Sequence, residues 1–109
     1  TVTDGIELMR QYDATAIIVD RRDEKDELGL VLASDIAKKV LAVNRSAGRV
    51  SLYEIMSKPI ISVRPEMNIR YCARLFAQFG LSQAPVVDAK HSVIGIIDYP
   101  RLVIGWETN

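Results

Sequence analysis

Apolar residues fall along the chain with two kinds of spacing. After Asn68, the residues Ile69, Cys72, Phe76 and Phe79 stand at i, i+3, i+7 and i+10, which is one face of a helix turned toward a core. Asn68 occupies the N-cap of that helix and Gly80 its exit, because glycine enters the left-handed region without steric cost. Four shorter runs, residues 16–19, 28–31, 85–87 and 93–97, are apolar and rich in β-branched side chains, which predicts strands covered on both faces. Ser51 with Glu54 three positions later has the form of a capping box and predicts a short helix over 52–56, followed by Pro59. Helices alternating with strands predict sheets covered by helices, an α+β (α/β-like) fold.

The pattern is written twice. Gly5-Ile6-Glu7-Leu8-Met9 leads to Ala16-Ile17-Ile18-Val19-Asp20, then to Gly29-Leu30-Val31-Leu32 and a helix-like stretch from Ser34 to Leu41. Cys72-Ala73-Arg74-Leu75-Phe76 leads in the same order to Ala84-Pro85-Val86-Val87-Asp88, Gly95-Ile96-Ile97-Asp98 and Arg101-Leu102-Val103-Ile104. The offset between the copies changes only in turns, one of them the charged loop 21–27, which reads as a solvated hairpin connection. Asp13 takes the place of Gly80, a position that Asp tolerates better than most residues. Residues 44–49 are polar with Ser and Gly and form the linker, so the repeats run 1–45 and 46–109 and together make one module. Each is a β-α-β-β-α unit, except that Thr1 aligns with the Asn68 cap, and the first repeat therefore lacks a counterpart of the opening strand 60–63.

Charge and length then narrow the field. Lys plus Arg and Asp plus Glu each total 14, so no net field draws the chain to nucleic acid or an anionic membrane, and no nucleic-acid partner is expected. The apolar runs are of strand length, far short of the roughly 20 residues of a membrane helix, so no membrane segment is expected. One cysteine builds no disulfide framework and no signal-peptide pattern opens the chain, which places it in the cytoplasm. A sequence without an initiator Met reads as a piece of a longer protein. Units this small bury too little surface alone, and the two halves are expected to share one core.

Candidates for catalysis are sparse. Cys72 lies on the apolar helix stripe and reads as an inert buried thiol. His91 stands alone in the turn Lys90-His91-Ser92. No triad, metal-ligand set or acid/base pair can be assembled from these residues, and the chain is not expected to be an enzyme.

Several pieces in a fixed order resemble the CBS-domain family: Glu54-Ile55-Met56-Ser57-Lys58-Pro59, Ser62-Val63-Arg64-Pro65-Glu66-Met67 and Ala84-Pro85-Val86-Val87-Asp88 in the second repeat, and Gly29-Leu30-Val31-Leu32-Ala33-Ser34-Asp35-Ile36 in the first. The resemblance covers nearly the whole chain. It implies tandem CBS repeats packed about a pseudo-twofold axis, a homodimer, and a non-catalytic regulatory module that signals to an attached domain or partner. It implies no required cofactor, and as regulatory ligand an adenosine-type small molecule such as AMP, ADP, ATP or S-adenosylmethionine, bound in a cleft between the repeats.

The family holds ribose on a turn that ends in an acid at a helix start, and Asp35 fills that place with Ser34 before it. A carboxylate can accept both ribose hydroxyls, while the helix N-terminus favours phosphate. Lys38 and Lys39 follow within reach of phosphates, or else stand on the solvated face of the helix, and the resemblance puts the base against Ile60, Ile61, Ala84 and Pro85. The family's hydroxyl position is here Leu32. In the second repeat the matching residues are Asp98 and Arg101, and a cation cannot accept ribose hydroxyls; an ion pair between them is the expected arrangement. The residues by themselves leave a second reading open, in which Ser34 caps the helix, Asp35 complements its dipole, and the module serves dimerisation without a nucleotide.

Overall fold

The structure, a computed structural model, describes residues 1–57 and 60–108, with side chains as far as Trp106. Lys58 and Pro59 of the quoted motif lie outside the described residues. The chain divides into two units, Thr1–Ile60 and Ile61–Asn109, and each has the same order of helix, two antiparallel strands and helix.

In the first unit, Thr1 caps helix α1 (Val2–Tyr12) by accepting the Asp4 N–H at 3.3 Å, and Asp13 ends it in the left-handed region at φ 50°. Strand β1 (Ala16–Val19) pairs with β2 (Gly29–Leu32), from Ala16 opposite Leu32 to Val19 opposite Gly29. The loop between them is knit by its own carboxylates: Asp20 accepts the Arg21 N–H, Asp23 that of Lys25 and Asp26 that of Arg22. Strand β2 runs directly into helix α2 (Ala33–Ile36), which widens into a π-helical turn at Ala37–Leu41, where Ala42 N–H reaches back five residues to the Ala37 carbonyl. The capping box predicted at Ser51 forms: Ser51 Oγ accepts from Tyr53 N–H and Glu54 accepts from Ser51 N–H, opening helix α3 (Leu52–Ile55). The Arg45 guanidinium, 2.7 Å from Glu54, holds that carboxyl below its ordinary range.

Helix α3 lies in the second sequence repeat but packs into the first unit. Val50 and Ile55 join Val2, Val19, Val31 and Val40 in one buried cluster, and Ser57 exchanges both backbone bonds with Leu30, at 3.0 and 2.9 Å. Met56 sets its sulfur where a side chain on Gly29 would have to begin, so any larger residue there would require Met56 to move. The sequence repeat and the packed unit therefore divide the chain at different residues.

In the second unit, helix α4 (Ile69–Phe79) is capped by Asn68, whose side chain accepts the Arg70 N–H at 2.8 Å, and ends at Gly80 with φ 64°. Strand β3 (Gln83–Val87) pairs with β4 (Val93–Asp98), and helix α5 (Tyr99–Thr108) follows without a loop. Asp88 holds the hairpin turn by accepting the N–H groups of Lys90 and Ser92, with His91 at φ 63° and exposed. The core is Val63, Cys72, Phe76, Ala84 and Leu102, and Phe76 meets the Tyr99 ring edge-on at 5.2 Å.

Three expectations are corrected. Of the opening strand 60–63, Val63 alone among the described residues enters a ladder, as a parallel bridge to Val86 with bonds to Pro85 O and from Val87 N–H. Strand β4 is not covered on both faces: a register shift between Val86 and Val87 turns Ile94 outward, 56% exposed. Phe79, on the predicted core stripe, is likewise half exposed.

Candidate functional site at the start of the second helix

Leu32 is the last residue of β2 and also the N-cap of α2, extended at φ −97°, ψ 155°. Leucine has no acceptor to offer the free N–H groups of a helix start, so the cap is made from the other side. Asp35, the third helical residue, turns its carboxylate back and accepts the Leu32 N–H through Oδ2 at 2.8 Å. This is the acidic half of a capping box, and it leaves Ser34 exposed and outside the capping role that its position suggested.

The Asp35 side chain is 19% exposed. A carboxylate offers about four acceptor positions, two on each oxygen; Leu32 uses one of them. One turn on, Lys39 brings Nζ to 3.8 Å from Oδ1 and donates from the same ammonium to the Ile55 carbonyl at 2.9 Å. What remains is a partly exposed carboxylate near the start of α2, with acceptor positions beyond the one that Leu32 uses. Such a group can accept two neighbouring hydroxyls.

The predicted residues are distributed as follows. Ser34, Asp35 and Lys38 fall on α2 and its π-helical turn, with Lys38 exposed. Ile60 belongs to the first unit and Ile61 to the second, both half-buried. Ala84 and Pro85 are buried within the second unit, so their side chains serve its core. Lys39, read from the sequence as within reach of phosphates or as a solvated face residue, bonds instead to the Ile55 carbonyl and stands beside Asp35. Its spacing of four from Asp35 was visible and is the ordinary ion-pair spacing of a helix, but the bond to Ile55 depends on where α3 packs.

The corresponding helix start in the second unit is built with the opposite polarity. Here the acid is the N-cap: Asp98 accepts the Arg101 N–H through Oδ1 at 3.0 Å and the Arg101 guanidinium through Oδ2 at 2.7 Å. The ion pair expected between these two residues is formed, and the cation lies at the third helical position, where the first unit has Asp35.

Cys72 is buried and burial pushes its thiol up, away from the reactive thiolate. Among the described residues no group of His, Cys, Asp and Glu could hold a metal ion, and no helix is long and apolar enough to cross a membrane. A groove of about 390 Å³ lies between α4 and α5, lined by Ile69, Ala73, Val103 and Trp106 together with Arg70 and Arg74.

The model of the CBS domain family matches residues 52–103, and across both units the chain is similar to the hexameric CBS-CP12 protein from bloom-forming cyanobacteria, with 39% identity and a TM-score of 0.88 over 94% of this chain. The chain belongs to the CBS-domain family. A CBS domain-containing protein of Bacillus subtilis, YhcV, is 28% identical over the whole of this chain and 75% of its own. The CBS-domain pair of MJ0100, solved in complex with 5-methylthioadenosine and S-adenosylmethionine, has the same fold with a TM-score of 0.75, at 19% identity over 98% of this chain and 82% of that one. This CBS chain spans 56% of the cyanobacterial protein and 45% of another curated relative, from Methanopyrus kandleri.

Proposed function

We propose that this CBS chain is a non-catalytic regulatory module that binds an adenosyl compound through Asp35 and signals its occupancy to an attached domain or partner. One observation carries the reading: the two units have matching helix starts, yet the acid of the first accepts one backbone N–H and has its cation 3.8 Å away, while the second ties its acid to Arg101 at 2.7 Å. A vicinal diol is the simplest ligand group that satisfies two carboxylate lone pairs with two donors, and ribose is such a diol. Support from outside the chain comes from the adenosyl ligands of the MJ0100 pair. Ser34 and Lys38, on the same helical stretch as Asp35, are assigned to the ligand's polar end. AMP, ADP, ATP, S-adenosylmethionine and methylthioadenosine are the compounds to titrate, and calorimetry on wild type beside Asp35→Ala and Arg101→Ala tests the assignment.

The module is also proposed to pair with a second copy of itself. Tyr99, Val103, Ile104 and Trp106 on α5 and Tyr71 and Phe79 on α4 are between 41% and 64% exposed, more large apolar surface than one monomer helix pair ordinarily shows to water. Sedimentation velocity at micromolar concentrations should give a dimer or larger assembly, and Trp106→Asp with Val103→Asp should shift it toward monomer. A wild type that sediments as a monomer throughout that range contradicts the pairing.

A further inference from the structure

The proposed ligand acid is joined by contacts to the segment that leads from the first unit to the second. Lys39 Nζ stands 3.8 Å from Asp35 Oδ1 and donates to the Ile55 carbonyl at 2.9 Å. Ile55 is the last residue of α3, so its carbonyl is one of those a helix C-terminus leaves without a partner along the helix, and a cation is well suited to it. Two residues later Ser57 is bonded twice to Leu30, and Leu30 lies on the strand whose end, Leu32, donates to Asp35. The contacts close a ring: Leu32, Asp35, Lys39, Ile55, Ser57, Leu30 and back along β2. Met56 seals it with a sulfur fitted against Gly29. Beyond Ser57 the chain passes to Ile61, where the second unit begins.

We propose that Lys39 is a positioning residue that couples the charge on Asp35 to the hold on the α3 C-terminus, and so carries occupancy of Asp35 to the inter-unit segment. This rests on the reading of Asp35 as the ligand acid only for the identity of what neutralises it. The physics is a division of one ammonium between two acceptors. In the empty site Lys39 is drawn toward the Asp35 carboxylate and toward the Ile55 carbonyl together. When hydroxyl donors settle on Asp35 they draw off part of its negative charge, the pull of Oδ1 weakens, and the ammonium moves its share of bonding to Ile55. Ligand then tightens the end of α3 and the Leu30–Ser57 bridge. By linkage, whatever tightens that segment favours the occupied form of Asp35. The second unit has no such device: at the place of Lys39 in its helix stands Gly105, which has no side chain.

The test needs no ligand, because Asp35→Asn removes outright the charge that bound hydroxyl donors would draw off in part. Hydrogen exchange is read at the amides of Met56 and Ser57, which donate to Leu52 and Leu30. Asp35→Asn is expected to slow their exchange at least about threefold relative to wild type, an effect in the range of exposed ion pairs. In Lys39→Met, and in Lys39→Gln should the first variant fold poorly, the same Asp35→Asn change is expected to leave those amides unaltered. Lys39→Arg should restore the effect. An equal response to Asp35→Asn with and without the Lys39 charge overturns the coupling, whether or not an adenosyl compound binds. A repeat with saturating S-adenosylmethionine separates the two proposals: wild type that binds it and slows these amides supports both, and binding with no change at Met56 and Ser57 overturns the relay while leaving the ligand reading intact.

Discussion

The starts of α2 and α5 solve one structural problem in opposite ways. Both helices follow a strand with no intervening loop, and both must satisfy N–H groups exposed at that junction. At α5 the strand's last residue is Asp98, which caps the helix and holds the Arg101 side chain in an ion pair of 2.7 Å. At α2 the strand's last residue is Leu32, which can do neither, and the acid has moved three residues into the helix. The exchange costs the fold little, since either arrangement supplies a charged acceptor to a helix N-terminus. It changes what the surface offers. Asp98 faces its own cation at contact distance, whereas the cation beside Asp35 is farther off and shared with Ile55. Two copies of one fold thus differ in how closely a single carboxylate is paired, 2.7 Å from its cation in the second unit and 3.8 Å in the first.

The largest effect expected from breaking this comparison lies in the cores. Phe76 is completely buried in the second cluster, and Phe76→Ala should destabilise its unit by about 3–5 kcal/mol. Because Phe76 packs in the cluster that holds Ala84 of β3 and Leu102 of α5, amide protection in β3 and β4 should fall much further than in β1 and β2. Equal loss in both hairpins, measured by hydrogen exchange, would show that the units unfold as one and that the distinction between them is not energetic.

A smaller effect separates the two helix exits. Asp13 and Gly80 hold matching left-handed positions, at φ 50° and 64°. For a residue with a side chain that region costs on the order of 1–2 kcal/mol, less for Asp than for most. Gly80→Ala should therefore lower stability by about 1 kcal/mol, and Asp13→Gly should raise it by a few tenths to about 1 kcal/mol. Urea unfolding decides the signs; destabilisation by Asp13→Gly would mean that the Asp13 side chain makes a bond the cap needs.

Much of this architecture could be read from residue order. The α4 cap and exit, the Ser51–Glu54 box, the strand positions and the repeat all follow from local chemistry, in which the partners lie within a few residues of each other. What was not legible depends on long-range packing or on small backbone changes. Periodicity put Phe79 on the core stripe without showing that the helix's last turn runs past its cover. In the run 93–97, Gly95 is a residue that often marks a bulge, but the apolar side chains around it do not tell that Ile94 is the one turned outward. Ser34 looked like a cap because Ser is a good one, but β2 continues to Leu32 and the helix begins two residues too early for Ser34 to serve. At the site, Asp35 was recognisable by type and place. The link from Lys39 to Ile55 was not, because it spans 16 positions and requires α3 to fold back onto the first unit.

The account's central claim is that Asp35 accepts ligand hydroxyls and that its counterpart in the second unit does not, and calorimetric titration with S-adenosylmethionine and AMP tests it most directly. Each hydrogen bond to a charged group contributes roughly 1.5–3 kcal/mol, so Asp35→Ala should weaken binding at least about tenfold. Arg101→Ala should bind as wild type does. Thermal melts of the same samples keep affinity apart from folding, since losing the acceptor for Leu32 N–H should itself cost about 1 kcal/mol of stability. Wild type and Asp35→Ala binding the same compound with equal affinity, both fully folded, would contradict the account.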